Sequence, residues 1–233
     1  MNENINLIGF ENGVYDLDTM TFRDKKKEDN ITLSTGYDYI EYKNNKDEEF
    51  ERKEKILEKY FTSIQPNING KNNLKMYLAS LLYGNNEEKV KCMVFSGDGR
   101  NGKTTLLNLV KKVLGDYYLK INSSLISRMH ETKLSPELLN VKGKRCLEIE
   151  NVIEEVNLKK ISVRNLYEKE IEFKPQFKLV TECENYNLNG NNNVSVLNFP
   201  NKFMNSPNKN IDKELEDCKE VLMWLLINNY YKE

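Results

Sequence analysis

A glycine-rich segment in the middle of the chain has the composition of a phosphate-binding loop. Residues 97–104 run Gly-Asp-Gly-Arg-Asn-Gly-Lys-Thr and fit the pattern G-x-x-x-x-G-K-[ST] in full. Glycines let the backbone wrap so that its N–H groups point at phosphate oxygens, and the start of the following helix adds its positive dipole end. The motif predicts a nucleoside triphosphate site in which Lys103 acts on the β- and γ-phosphates as a catalytic residue and Thr104 binds Mg²⁺. The residues predicted to hold the nucleotide are Gly97, Gly99, Asn101, Gly102, Lys103, Thr104 and Thr105.

Hydrolysis of a bound triphosphate also needs a carboxylate at the end of a neighbouring strand, where it helps to hold Mg²⁺ and polarises the attacking water. The candidate strand is residues 145–149, and Glu148 and Glu150 alternate onto the same face of it. Glu150 lies at the carboxyl end, where phosphate sites collect in sheets of this kind. We therefore predict Glu150 as the catalytic and metal-binding carboxylate, with Glu154 and Glu155 as the second choice.

Strands and helices alternate around these residues. Apolar runs with turn residues between them predict strands, and helical spacing of apolar residues predicts helices. This order predicts an α/β fold with a mostly parallel sheet and helices on both of its faces. The predicted strands are residues 90–96, 117–121, 145–149, 167–173, 177–183 and 194–199, and the predicted helices are residues 103–114, 154–162 and 213–231.

The first 45 residues have a different pattern, typical of β structure. Short apolar runs flank Asn12-Gly13, which is a strong hairpin signal. The predicted strands are residues 5–10, 14–17, 31–34 and 37–42, and they are followed by a charged helical or linker segment at 44–58 and a helix at 73–83. We predict three parts: a β-rich region at 1–45, a helical linker or collar at 46–88, and a P-loop ATPase domain at 89–233.

The composition excludes several classes of protein. A formal net charge of −1 does not indicate nucleic-acid binding, although a local basic patch is compatible with it. His130 is the only histidine, which excludes a His-rich metal site and disfavours a Ser-His-Asp triad. The four cysteines are far apart and form no zinc or redox motif. Neither a membrane-spanning run nor a signal peptide is present, so we predict a protein that is not secreted.

Motifs along nearly the whole chain resemble one family. The loop appears in an N-G-K-[ST]-T form and is followed by V-K-G-K-R and F-x-P-x-F-K-L. In this order the chain resembles the superfamily 3 helicase domain of viral, phage and plasmid primase–helicases of the poxvirus type. The segments that carry the resemblance are residues 9–24, 33–42, 74–89, 95–118, 134–145 and 165–180.

The resemblance implies a function as well as a fold. The family has an AAA+-like P-loop core, assembles as a ring that is usually a hexamer, and couples ATP hydrolysis with Mg²⁺ to DNA unwinding in replication, often beside a primase. A β-hairpin before the fourth core strand grips single-stranded DNA, and its counterpart here is residues 165–173. The expected DNA contacts are Lys169, Arg164 and Tyr167, and the expected location is the host cytoplasm or a viral replication site.

Departures from the family leave an alternative open. The Thr-Gly-Gly-Asp element before the hairpin is missing, and the polar sensor of the family, an asparagine, is matched by Asn185 shifted by one position or is replaced by Glu184. No arginine follows Arg164, so the family's arginine finger has no counterpart, although Lys202 or Lys209 could supply charge. The alternative is a nucleotide-binding relative with poor hydrolysis that acts as a structural ring subunit or a DNA-binding or interfering partner.

Overall fold

The elements of the chain form a mixed α/β structure. The computed structural model of the 233-residue chain describes residues 4–42, 46–84, 92–129, 136–151, 160–163, 170–186, 194–203 and 210–230. The strands are β1 (Leu7–Phe10), β2 (Gly13–Asp16), β3 (Thr21–Arg23), β4 (Cys92–Ser96), β5 (Tyr118–Ile121), β6 (Cys146–Ile149), β7 (Ile161–Val163), β8 (Ile171–Phe173), β9 (Lys178–Cys183) and β10 (Val194–Asn198). The helices are α1 (Glu48–Ile64), α2 (Ile68–Ser80), α3 (Lys103–Leu114), α4 (Ser123–Arg128), α5 (Ile211–Glu216) and α6 (Lys219–Leu225), and a π-helical turn covers Leu226–Tyr230.

Five of these strands form a parallel sheet in the order β10-β4-β9-β6-β5. Strand β4 lies in its interior, and Ser96 at its end is level with Asn198 of β10 and Cys183 of β9. Strand β6 is separated from β4 by β9. Together with the antiparallel sheet β1-β2-β3 at the N-terminus, this confirms the predicted α/β fold with a β-rich first region.

The parallel sheet is covered on both faces, as its apolar strands require. Side chains alternate between the faces, so Phe95 and Val180 pack in the same cluster as α3, whereas Val94 and Leu179 pack in a second cluster on the opposite side. Both clusters are built from buried aliphatic and aromatic residues. In the described part of the chain no helix is long and apolar enough to span a membrane.

Two buried tyrosines join the N-terminal region to the face of the core that carries α3. The hydroxyl of Tyr117 accepts a hydrogen bond of 2.8 Å from the amide of Gly9, and the hydroxyl of Tyr37 donates one of 2.6 Å to the carbonyl of Val113 at the end of α3. Gly9, Tyr37, Val113 and Tyr117 are all buried, and both tyrosine hydroxyls have hydrogen-bond partners there. The first region therefore packs as part of the same core.

The strands predicted at 31–34 and 37–42 are wrong. This segment makes single hydrogen bonds to the N-terminal sheet, such as Thr35 N to Gly9 O at 3.0 Å and Glu11 N to Tyr37 O at 3.1 Å, but no ladder. Its apolar side chains, including Ile31 and Tyr39, are nevertheless buried. The alternating pattern arises because one side of this unpaired segment is buried. The third strand of the N-terminal sheet is β3.

Three predicted helices have different bounds in the structure. Helix α1 continues past the predicted end at residue 58 because Phe61 and Ile64 are fully buried on the same face as Leu57. The helix predicted at 154–162 is wrong at Ile161 and Ser162, which belong to β7; residues 154–159 lie outside the described residues. The C-terminal helix is divided into α5, α6 and the π-helical turn.

Gly115 ends α3 in a conformation that only glycine adopts easily, with φ at +53°. A Cβ there would lie 2.2 Å from the carbonyl oxygen of Thr35. We expect Gly115→Ala to lower the free energy of unfolding by about 2–3 kcal/mol, from the left-handed strain together with overpacking. Gly36→Ala is the matched control, since Gly36 has φ at +79° with open space around it and should lose only about 1–2 kcal/mol. Equal losses in urea unfolding of the two variants would contradict the predicted close contact.

Candidate nucleotide-binding site

The loop between β4 and α3 has the backbone that its glycines predict. Gly97 has φ at +150°, and a Cβ on it would lie 2.5 Å from Nδ2 of Asn101 and 2.6 Å from the carbonyl oxygen of Phe199. Asn101 itself is buried, and its Nδ2 lies 3.4 Å from the same carbonyl. The loop is therefore closed tightly at its base, directly after β4.

Lys103, the first residue of α3, is 6% exposed and its ammonium lies within the loop. It donates to the carbonyl of Gly97, to the carbonyl of Asp98 at 3.3 Å and to Oδ1 of Asn101 at 3.0 Å. Burial lowers the pKa of Lys103, while the nearby carboxylates, Glu182 foremost, oppose that shift. A positive charge is thus held by oxygen atoms at the N-terminus of α3, where a phosphate oxygen would bind best.

The outer side of the loop is braced by two other parts of the chain. From α1, the Tyr60 hydroxyl donates to the carbonyl of Gly102 at 3.1 Å. From the segment after β10, the amide of Phe203 donates to the carbonyl of Arg100 at 2.8 Å. Lys202 in that segment forms an ion pair of 2.5 Å with Asp98 and lowers the pKa of that carboxyl group. Lys202, one of the two lysines that could replace the charge of an arginine finger, is thus paired at the loop of its own chain, and Lys209 is outside the described residues.

A cavity of about 390 Å³ opens above the loop. Its floor is the loop and the first turn of α3, and its wall is the end of β9. The cavity is lined by Gly99, Arg100, Asn101, Gly102, Lys103, Thr104, Thr105, Glu182, Cys183 and Glu184. Every residue predicted to hold the nucleotide except Gly97 lines this space, and Gly97 binds Lys103 beneath it.

Glu182 is the residue of this cavity that sequence reasoning missed. The Thr104 hydroxyl lies 3.0 and 3.2 Å from the two carboxylate oxygens of Glu182. The contact exists because β9 is the direct neighbour of β4, so that its end lies beside the loop. The sequence did show a glutamate within a buried strand, on the same face as Val180. It did not show which strand lies next to β4.

Glu150 and Glu148 lie one strand further from the loop. Two strand spacings, about 10 Å, separate β6 from β4. Glu150 is exposed, and its Oε2 lies 3.3 Å from Nδ2 of Asn122. Glu148 accepts hydrogen bonds from the Tyr118 hydroxyl and, at 2.6 Å, from Lys120. The described contacts thus engage Glu148 with β5 and place Glu150 at the carboxyl end of β6, without direct contact to Thr104.

The predicted sensor residue lies at the turn after β9. Asn185 has φ at +50° and is exposed, while Glu184, the open alternative, lines the cavity. Cys183 lies between them and the loop, and burial raises the pKa of its thiol. Of the two candidates that the sequence left open, Glu184 is the one that lines the cavity above the loop.

A short antiparallel ladder stands before β9. Strands β7 and β8 pair from Ile161 with Phe173 to Val163 with Ile171. This position, directly before the strand beside β4, is where the family resemblance implies a hairpin. The three predicted DNA contacts, Lys169, Arg164 and Tyr167, lie outside the described residues.

Comparisons with known proteins relate the chain to viral proteins. Residues 1–67 match the protein family described as D5 N terminal like. Over 196 residues, or 78% of the chain, the sequence is 36% identical to "Putative helicase L207/L206" of Acanthamoeba polyphaga mimivirus. Over 148 residues, or 58% of the chain, it is 28% identical to "Putative primase C962R" of African swine fever virus. The chain is related to viral proteins named as helicases and primases.

These viral relatives are much longer than the chain. The chain matches only 20% of the length of the mimivirus protein and 15% of the length of the African swine fever virus protein. Among solved structures, the C-terminal region (305–718) of NrS-1 superposes with a TM-score of 0.57 at 13% identity, over 74% of this chain and 44% of that one. At that identity the match establishes a shared fold, and it extends through most of the elements described above.

Proposed function

We propose that this chain is the ATP-binding helicase or translocase module of a viral-type DNA replication protein. The observation that carries the proposal is the loop of residues 97–104. It joins the interior strand β4 to α3, holds the buried ammonium of Lys103, and opens into a cavity beside Thr104 and Glu182. Anion-binding loops of this kind cradle the phosphates of nucleoside triphosphates.

The residues at the loop suit a magnesium-bound triphosphate. The hydroxyl of Thr104 and the carboxylate of Glu182 are hard oxygen donors at one point of the cavity, as Mg²⁺ prefers. Mg²⁺ in nucleotide sites is usually bound by one or two side chains together with the substrate phosphates. When bound, Mg²⁺ would neutralise charge that develops on the phosphates. Lys103 would hold the β- and γ-phosphates, and Glu150 would orient and polarise the attacking water.

The viral relatives and the ladder before β9 support the coupling to DNA. The names of those relatives include helicase and primase, and β7 and β8 pair as an antiparallel ladder before β9. We assign the contact with single-stranded or forked DNA to residues 164–169, which lie outside the described residues. A lysine, an arginine and a tyrosine suit backbone contacts and base stacking without sequence preference. We extend the proposal to a ring, a hexamer by the family resemblance, with a primase as partner and the three-part organisation given above.

One observation favours the alternative of a nucleotide-gated structural subunit. No arginine follows Arg164, and an arginine finger is typically worth about 10³–10⁵ in rate. Lys202 lies at the loop but is paired with Asp98, and a lysine lacks the planar fork that grips a phosphate twice. Under this alternative the chain binds ATP and does not turn it over.

The deciding experiment is ATP hydrolysis by the purified chain, with and without single-stranded DNA. Turnover that DNA stimulates supports the helicase or translocase module. Tight ATP binding with no turnover above the background of Lys103→Ala contradicts that proposal for the chain alone and supports the structural subunit. Absence of ATP binding in calorimetry contradicts both.

The two candidate carboxylates can be separated by matched substitutions. We expect Glu150→Gln to lower turnover by about 10²–10⁴-fold, the usual contribution of a general base, with ATP affinity unchanged. Glu182→Gln removes a charge beside Thr104 and should instead raise the Mg²⁺ concentration needed for half-maximal ATP binding. Calorimetric Mg²⁺ titrations and steady-state rates measure both effects. If Glu182→Gln abolishes turnover and Glu150→Gln does not, the water-polarising role belongs to Glu182.

A further inference from the structure

A second cleft lies beside the phosphate cavity, along α3. It has a volume of about 280 Å³ and lies between α3 and α5, and Thr105 lines both spaces. Helix α3 lines it with Thr105, Asn108, Leu109, Lys111 and Lys112, and Thr105, Asn108, Leu109 and Lys112 share one stripe of the helix at spacings of three and four residues. From Thr105 to Lys112 this stripe runs about 10 Å along the helix axis.

The cleft combines an apolar floor with polar groups at its edge. Leu109 and Leu215 are 3% and 1% exposed, whereas Asn108 and Asp212 are exposed. At the far end, Lys112 and Glu216 close the cleft with an ion pair of 2.7 Å. Lysines and carboxylates balance in the lining, so the cleft has no charge that would favour a phosphate.

We propose that this cleft takes the nucleoside part of a nucleotide whose phosphates lie in the loop. The proposal rests on the proposed function, because it assigns the base and ribose of the same ligand. Asn108 and Asp212 would bind polar edges of the base or ribose, and the leucines would contact its apolar face.

Size and position support this assignment. Ligand pockets are roughly 300–1,000 Å³, so the phosphate cavity alone is near the lower limit, and the two neighbouring spaces together suit a whole nucleotide better. Asp212, near the start of α5, lines the cleft together with Thr105, which also lines the phosphate cavity. The start of α5 is therefore held near the same end of α3 as the phosphate site.

The test compares ATP with inorganic tripolyphosphate, which has the phosphates without the nucleoside. We would measure both dissociation constants by calorimetry for the parent chain, for the double variant Asn108→Ala/Asp212→Ala, and for Lys213→Ala, an exposed neighbour on α5 outside the cleft. Two lost hydrogen bonds of about 0.5–1.5 kcal/mol each should weaken ATP binding by roughly 5- to 150-fold. Tripolyphosphate binding should change less than about twofold, and Lys213→Ala should match the parent.

The outcomes separate this proposal from the function on which it rests. If the double variant binds ATP as the parent does while tripolyphosphate still binds, the nucleoside lies elsewhere and only the present proposal is overturned. If the double variant loses tripolyphosphate to the same extent as ATP, the two residues act on the loop and the proposal is again overturned. If the parent binds neither ligand, the proposed function itself fails.

Discussion

Lys103→Ala is expected to weaken ATP binding by roughly 10- to 150-fold and to reduce turnover to background. The ammonium of Lys103 is buried and is bound by the oxygens of Gly97, Asp98 and Asn101, so it is held within the loop rather than free in solvent. A hydrogen bond from a charged group contributes about 1.5–3 kcal/mol, which corresponds to the stated change in affinity. Calorimetry with ATP and Mg²⁺ measures the first effect, and phosphate release measures the second.

Lys55→Ala provides the matched control for that variant. Lys55 lies on α1 with its side chain 80% exposed and makes only a long i,i+4 pair of 3.8 Å with Glu51. Such pairs contribute little, so its removal should leave ATP binding and turnover unchanged. Near-parental ATP affinity in Lys103→Ala, with an unchanged circular dichroism spectrum, would contradict a phosphate role for the loop.

Arg145→Ala is expected to lower the free energy of unfolding by about 3–5 kcal/mol, a large part of the 5–15 kcal/mol typical of a domain. The Arg145 side chain is fully buried and donates to Oε1 of Gln176 at 2.6 Å and to the carbonyl of Ile5 at 3.1 Å. The described residues place no carboxylate in an ion pair with it, and burial lowers its pKa to about 10, so it stays charged at neutral pH. Its loss would leave buried carbonyl groups of the N-terminal segment without their donor.

Urea unfolding of Arg145→Ala and Arg128→Ala checks this expectation. Arg128 pairs with Glu137 at 2.5 Å, and both side chains are about half or more exposed, so its loss should change stability by less than about 1 kcal/mol. Arg145→Lys adds a second test, since a lysine keeps the charge but cannot reach several acceptors through a planar fork. If the free energy of unfolding of Arg145→Lys equals that of the parent, a positive charge is sufficient at this position and the planar guanidinium group is not required.

The loop and α3 could be predicted because their signals are local. The glycine spacing specifies the backbone of residues 97–102, and the apolar stripe specifies a helix that begins at Lys103 and ends at Leu114, with the bounds that the structure has. The parallel sheet followed from the alternation of strands and helices. In each case the decisive residues are neighbours in the sequence.

Glu182 could not be predicted because its role depends on strand order. A sequence indicates that residues 177–183 form a strand, but the side on which it adds to the sheet is decided by packing among distant segments. Because β9 lies between β4 and β6, it is Glu182 that touches Thr104, while Glu150 lies two strand spacings away. The strands wrongly predicted at 31–42 have the same origin: burial can be inferred from their side chains, but pairing cannot.

Strand β9 has one more consequence, for how force passes through the molecule. Residues 174–177 alone separate the β7–β8 ladder from β9, and that link contains Pro175 and the fully buried Phe177. The six residues of β9 then run about 20 Å to the cavity, paired with β4 from Leu179 to Cys183 and with β6 from Lys178 to Val180. A strand bonded on both sides cannot slide by itself, so a load on the ladder is delivered to the whole sheet. The described end of the β7–β8 ladder is therefore tied to the parallel sheet through a short link.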